Sequence, residues 1–469
     1  MGQTWSNKSI REVRTTGSDT NGGAFIWNAS GSDYSQQNSP QYSGTDLEVN
    51  SSNDLQVKST TAGSPIAADV GNVICISAGT FWTTGWYEIQ SQDGTWWTLD
   101  RSPNFAGSTG GTFAVGGALA SPGLAVDIGE GYYASNNRRA VIYIESGTYT
   151  ISNSTAYASG TYLNGARSSY IGYDQTNGRN QRPTTNPLLQ NDSSYSGTIL
   201  DIHWSGNASY LAGEVSWIDC DGAGYGGRVV DRPSAMYQST IQGGVTAQTG
   251  GGSYFDCKIL GDSCGSYKRT ADGGNYFYCY IDGQGGGFRG QAFSGSGVGN
   301  VIVGSTNNGG NQYKVATTDR QGYMLSNIIV AKSGAAIGQM DGTFFNNLMV
   351  APSSGRYLFA SGNTGGASDG HFANNYYYGF TGGTPSYVGR DGFYSDPVAL
   401  SADPCVDLAG GDYTLDPSSA AFSTLRQIPD LTKPFGFGGG GIIGPGVDVT
   451  TISGGGSTVQ TVASIERLK

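Results

Sequence analysis

One pattern limits the fold of this chain more than any other: a small or polar residue, then any residue, then a large apolar one, recurring along its middle. The series reads Ser239-Thr240-Ile241, Cys257-Lys258-Ile259, Cys279-Tyr280-Ile281, Asn300-Val301-Ile302, Asn327-Ile328-Ile329, Asn347-Leu348-Met349 and Asn375-Tyr376-Tyr377. Steps of roughly 18 to 28 residues lie in the range that means stacked repeats. Gly244, Gly261, Gly283 and Gly304 close several units, where a turn must follow.

Side chains on a strand alternate between two faces, so the first and third residues of each triplet share one. The column Ile241, Ile259, Ile281, Ile302 and Ile329 is the natural buried face. The column of Ser, Cys, Cys and Asn is then buried beside it, at the same place on successive rungs. Strands stacked in parallel at about 4.8 Å let Asn amides bond up and down such a column, and let Cys pack as a small apolar residue. Two other readings of the cysteines stand beside this one. A disulfide between Cys257 and Cys279, on adjacent rungs, is geometrically open. A metal site lacks a Cys-x-x-Cys pair, and the two histidines, His203 and His371, lie far apart in sequence.

The expected fold is therefore all-β: a right-handed parallel β-helix preceded by a small β-rich amino-terminal module. Composition agrees, with 77 Gly and 29 Tyr among 469 residues. Residues 1–117 read as the module, for attachment or oligomer contact, with short alternating segments such as "GNVICIS" and "GWYEIQS". Its cluster Trp82, Trp86, Trp96 and Trp97 suits a core or an oligomer contact better than a sugar platform. Residues 118–425 read as the β-helix. A short helix is expected in "ALASPGLAVDIGEGYY", followed by a strong strand in "RRAVIYIESGTYTI". Residues 426–469 read as a Gly-rich linker and a strand-like tail.

The first-rung segment "RRAVIYIESGTYTI" resembles that of the pectin-lyase-like superfamily of right-handed parallel β-helix proteins. "SDPVALSADPCVDLAGGDYTLDPSSAAF" looks like its closing segment, through Asp396-Pro397, Gly411-Asp412-Tyr413, Leu415 and Pro417, with Ser419 where Pro is usual. The module is similar to segments that precede β-helices in structural and spike proteins of tailed phages. The resemblance implies the fold over about 120–425 and leaves function open, because this scaffold hosts unrelated activities.

The net charge of −11 disfavours nucleic acid as a partner, and no run is long enough to span a membrane. The amino terminus lacks the apolar stretch of a secretory signal, and Met1-Gly2 with Ser6 matches only a loose myristoylation pattern. These features together lead to one expectation: a structural or host-adsorption protein on a bacteriophage virion surface, such as a spike or capsid decoration. It would be made in the host cytoplasm and would associate with itself, as a homotrimer, with other virion proteins and with a host surface glycan.

The alternative is a polysaccharide lyase or glycoside hydrolase, including a phage depolymerase, on the same scaffold. Its candidate groups are Asp219, Asp221, Asp256 and Lys258, with Arg228 further off. Asp219 and Asp256, two rungs apart at about 9 to 10 Å, would sit at the wide edge of an inverting pair. No polygalacturonase-type set of Asn-x-Asp, Asp-Asp, His-Gly and Arg-x-Lys accompanies them, and solvated or turn-bonded carboxylates are the plainer reading. "DRPSAM" matches only a fragment of a pectate-lyase pattern. Gly285-x-Gly287-x-x-Gly290 fits a rung-to-rung turn better than a dinucleotide site, since no βαβ unit surrounds it. No catalytic, cofactor-binding or metal-binding residue is assigned, and no cofactor is expected. Tyr278, Tyr280, Tyr376 and Tyr378 are expected to face outward, for subunit packing or glycan contact.

Overall fold

The computed structural model describes residues 8–128 and 140–150 and, from 162 to 421, the strands and short stretches beside them. The chain divides into two units, Met1–Gly206 and Asn207–Lys469. Both are built almost wholly from β structure.

The first unit contains a closed antiparallel barrel and strands of three sheets with parallel pairing, the smallest being Tyr162–Leu163 with Ser194–Tyr195. Strand β1 (Ser9–Val13) pairs antiparallel with β2 (Ala24–Ile26). The barrel follows, from β3 (Tyr42–Asn50), β4 (Asn53–Lys58), β5 (Val73–Ala78), β6 (Gly85–Gln92), β7 (Trp97–Leu99) and β8 (Gly111–Val115), closed in the order β3-β4-β7-β6-β5-β8. Alternate residues point inward: Leu47 and Val49, Ile74 and Ile76, Tyr87 and Ile89, Trp97 and Leu99, Phe113 and Val115. Asp69 is buried against this core, and its carboxylate accepts from Trp97 Nε1 at 2.8 Å, Tyr34 OH at 3.3 Å and the Ile66 N–H at 3.0 Å. Three donors offset its desolvation.

After the barrel comes the expected short helix, α1 (Pro122–Asp127), with Pro at its start. Asp19 receives the backbone N–H groups of Ala120 and Ser121 just before it. Next are β9 (Ala140–Glu145) and β10 (Thr148–Thr150). The residues before the barrel belong with these later strands: β1 pairs in parallel with β9, Ser9 opposite Ala140 through Val13 opposite Ile144. Ser169–Tyr173 continues that sheet and Thr198–Leu200 follows, while β10, Leu188–Gln190 and His203–Gly206 form a second parallel sheet.

Arg179 clasps β1 in place. Its guanidinium donates to Glu12 and to Asp33, the latter at 2.9 Å, and lies 4.6 Å from the Tyr143 ring. Arg14 Nε donates to the other Glu12 oxygen at 2.8 Å, so the fully buried carboxylate is paired on both sides. Asp174 shapes the loop that presents Arg179, accepting the N–H groups of Asn177 and Thr184.

In the second unit two parallel sheets take strands alternately from the chain. One runs Ser216–Ile218, Ala235–Tyr237, Ser253–Phe255, Ala271–Phe277 and Phe293–Val298, then branches to Tyr323–Leu325, Thr343–Phe345 and His371–Ala373. The other runs Asp221–Gly224, Thr240–Gly243, Lys258–Asp262, Tyr280–Gln284, Val301–Gly304, Ile328–Ala331, Leu348–Val350, Tyr376–Tyr378 and Val398–Ala399. The apolar column is in register: Ile241, Ile259, Ile281, Ile302, Ile329 and Met349 lie opposite one another in turn. Ile259, Ile281, Ile302, Ile329 and Met349 are fully buried.

Two residues make each corner between the sheets. The first is left-handed: Asp256 (φ 51°), Tyr278 (56°), Gly299 (67°), Ser326 (55°), Asn346 (60°) and Asn374 (51°). The second is the polar column, Cys257, Cys279, Asn300, Asn327, Asn347 and Asn375, all buried. Nδ2 of Asn300 donates to Asn327 Oδ1 at 2.9 Å, Asn327 to Asn347 at 2.9 Å and Asn347 to Asn375 at 3.0 Å. Each Oδ1 also accepts the backbone N–H of the previous member. Each Nδ2 also reaches a carbonyl of the rung before: Tyr276, Gly297, Met324 and Phe344 in order. The thiols occupy the same slots, with Cys279 Sγ 3.5 Å from the Tyr254 carbonyl, the counterpart of Tyr276 one rung earlier. Cys257 and Cys279 are free thiols, with no disulfide between them.

Asn327→Ala strips partners from the Asn300 N–H and the Gly297 carbonyl, both in a buried corner, and is expected to lower stability by about 3 kcal/mol. Cys279→Asn fills an existing amide slot and should stay within about 1 kcal/mol of wild type; denaturant unfolding measures both. Hydrogen bonds from the Thr184 and then the Asn177 backbone hold Asp174 below its ordinary value of 3.8. A depressed folded value stabilises above the unfolded one and is lost as pH falls through it. The melting-temperature gap between wild type and Asp174→Ala is therefore expected to be constant down to about pH 5 and to close below 3.8.

Candidate functional site

The corner decides which side chains reach solvent in the second unit. Because the chain turns at a left-handed residue, alternation does not run through it, and the residue just before the corner faces outward. That position is Tyr237, Phe255, Phe277, Val298, Leu325, Phe345 and Ala373 on successive rungs. Tyr237 stacks on Phe255 at 4.9 Å and 9°, and Phe255 on Phe277 at 4.8 Å and 9°. The stack is repeated inside by Tyr254 and Tyr276, both buried, at 4.7 Å and 5°. Tyr237 is 37% exposed, and Phe255 through Ala373 are half-buried. The result is an apolar stripe, aromatic at the end where Ser239, Cys257 and Cys279 make the corners and continued by Val298, Leu325 and Phe345 where the amide ladder makes them.

Of the tyrosines expected to face outward, Tyr278 sits at a corner, half-exposed, with its ring over Gly299, where a Cβ would come within 2.7 Å of it. Tyr376 does lie on the outer side of its sheet but is not open to solvent, at 9% exposure. The chain's own closing segment covers it. A hairpin of Cys405–Asp407 and Asp412–Leu415 brings Cys405, Leu408, Tyr413 and Leu415 onto the outer side of the second sheet, against Val303, Ile328, Val330, Leu348, Val350 and Tyr376. Tyr280 and Tyr378 pack at its margin. Burial pushes the Cys405 thiol up to about 12, which leaves it inert as a nucleophile.

Sequence reasoning missed one charged cluster at that margin. Asp282 is nearly buried, accepts from Tyr280 OH at 3.3 Å and lies 3.7 Å from Lys332 Nζ. Burial, followed by the charge of Asp282, raises Tyr280 and takes Tyr413 to about 12. Both phenols stay protonated at neutral pH, so neither acts as a base there.

The candidate enzyme residues are only partly brought together. Asp256, at a left-handed corner, and Lys258, at the start of the next strand, are both exposed and flank buried Cys257. Asp219 and Arg228 lie outside the described residues, as do Cys220, Cys264, Gly285, Gly287 and Gly290. Asp221, His203 and His371 lie in strands whose side chains there are not described. Among the described residues no group of three or more His, Cys, Asp or Glu is arranged to hold a metal ion. In the first unit Trp82 and Trp97 are core residues, Trp86 donates to the Asn21 carbonyl at 2.9 Å, and Trp96 lies under Lys58 Nζ at 4.3 Å.

No family model, no curated protein and no solved structure matches this chain. No helix among the described residues is long and apolar enough to cross a membrane. Leu415→Ala is expected to cost about 2–4 kcal/mol and to make the 405–415 hairpin the first site cut in limited proteolysis, read by mass spectrometry of the fragments.

Proposed function

We propose that the alternating strands of each unit are coils of a right-handed parallel β-helix, and that the chain is a structural or host-adsorption protein on the surface of a virus particle. Handedness follows from the strong general preference of parallel crossovers. The observation that carries the functional reading is the outward stack Tyr237, Phe255 and Phe277, continued by Val298, Leu325 and Phe345, on a sheet of in-register parallel strands. Such a stripe is built to bind along its length. The rings cover one another's faces and turn their edges outward, forming a ridged apolar surface along which a host surface glycan, the favoured contact, can lie.

The support is physical. A buried ladder with its amides satisfied resists unfolding outside a cell, where a particle protein must survive. The excess of acidic residues keeps copies soluble and gives no attraction to nucleic acid. The described residues of the polysaccharide-cleaving alternative, Asp256 and Lys258, are exposed, Asp256 at a corner and Lys258 at the start of the next strand.

Quantitative mass spectrometry of density-banded particles, scaled to the major capsid protein, tests this reading. A few to a few dozen copies per particle would mark a spike, and hundreds a decoration. Absence from particles would overturn the proposal and restore the enzyme reading. For the glycan contact, Phe255→Ala with Phe277→Ala should weaken binding of purified host polysaccharide by at least about tenfold, measured by calorimetry. Unchanged binding would remove the stripe from the adsorption surface.

A further inference from the structure

The barrel of the first unit carries an exposed feature that the adsorption reading does not use. Phe81 and Phe105 are 79% and 62% exposed, the two most exposed large hydrophobic residues among those described. Their rings lie side by side, with centroids 6.3 Å apart and planes at 48°. They come from separate loops, after β5 and after β7, so their meeting is a property of the folded barrel end.

The two loops are braced as one surface. Thr83 N–H donates to the Pro103 carbonyl at 2.9 Å, and Trp82 Nε1 to the Thr109 carbonyl at 3.2 Å. The Trp82 ring is buried in the barrel core, and at Gly111 a Cβ would meet it at 2.8 Å. Ser108 Oγ donates to the Phe105 carbonyl at 2.8 Å, and Phe105 N–H to Asn104 Oδ1 at 2.8 Å. Phe81 itself is left-handed, at φ 68°. A bulky residue adopts that conformation only under strain, and here it turns an apolar ring into water. Asn104 Nδ2 is buried with no hydrogen-bond partner in the same loop, a second local cost. Two local penalties that together leave a pair of phenylalanines exposed have no folding rationale in the free chain. They suit a preorganised contact surface.

Charge selects the occupant. Residues 77–85 and 102–111 contain none of the chain's 25 basic and 36 acidic residues. At the rim, Arg101 is paired with Asp100 at 2.7 Å and lies over the Tyr87 ring at 3.9 Å. On a chain carrying −11, this uncharged face is one on which a second copy sets no like charge directly against its own. No cation is present to draw an anionic bilayer. We propose that this barrel end is a face through which copies of the chain associate, with Phe81 and Phe105 as its anchors. Twelve exposed residues form the patch, about half the usual 20–30 on one side of a stable interface, so the contact is weak and reversible. The inference does not rest on the virion reading.

Sedimentation equilibrium of the full chain over a wide concentration range tests it, with Phe81→Ser/Phe105→Ser as the variant and circular dichroism melts to confirm that the variant folds. The mass of wild type should rise with concentration, and the variant should associate at least about tenfold more weakly. A monomeric wild type, or a variant that associates as wild type does, overturns the proposal. Wild type that stays monomeric but floats with zwitterionic phosphatidylcholine vesicles, in a manner lost in the variant, overturns it in favour of a bilayer. As a check independent of the variant's folding, exposed Thr80→Cys should form an intermolecular disulfide under mild oxidation that the parent chain does not form. Failure of Thr80→Cys to cross-link beyond the parent counts against the face.

Discussion

Everything in the second unit depends on how the chain satisfies its peptide groups while turning a tight corner inside the protein. A two-residue turn buries N–H and C=O groups with nothing local to bind, and each unpaired group would cost about 1–3 kcal/mol. The asparagine column removes that penalty. One side chain accepts the N–H of the rung before it and donates both to the amide of the rung after it and to a carbonyl of the rung before. The backbone does the same around the turn: Tyr280 N–H reaches the Cys257 carbonyl and Val301 N–H that of Cys279. Register follows from this, because a slip of one residue would break every rung of the ladder together.

With register locked, the rest is consequence. The residue after the corner's amide begins the second sheet and the next one fills the core, giving the Ile column. The residue before the corner is turned outward on every rung, giving the aromatic and aliphatic stripe. The outer side of the second sheet is apolar from Val303 to Tyr376 and needs a cover, which the 405–415 hairpin supplies. The first unit meets a related demand by different means. β1 is joined to β9 by backbone pairing, and the charged clasp of Glu12, Arg14 and Arg179 holds its polar residues.

The core columns were legible because they repeat: Ile259, Ile281 and Ile302 can be lined up without knowing the turns between them. The outward face was not. Reading alternation straight through "NYFYCYI" turns Tyr278 and Tyr280 outward, whereas the left-handed Tyr278 resets the parity and puts Phe277 on the surface. No local signal marks Tyr or Ser326 as a left-handed residue, since Gly and Asn are the usual choices. The partnership of β1 with β9 was hidden because the whole barrel sequence separates them, and β1 alone is an ordinary short strand. The burial of Tyr376 was hidden for a similar reason, because its cover comes from a hairpin whose packing side only tertiary structure reveals. The Asp282 cluster draws on residues from separate rungs, with no shared spacing to betray it.

Hydrogen exchange of the corner amides addresses the ladder most directly. The backbone N–H groups of Cys279, Asn300, Asn327 and Asn347, each bonded to a side-chain oxygen of the following rung, should rank among the slowest-exchanging amides of the second unit and open together as one cooperative block. Exchange at these four sites as fast as at the exposed Asp93–Thr95 turn, or independent opening of each, would contradict an in-register ladder as the organising element of the fold.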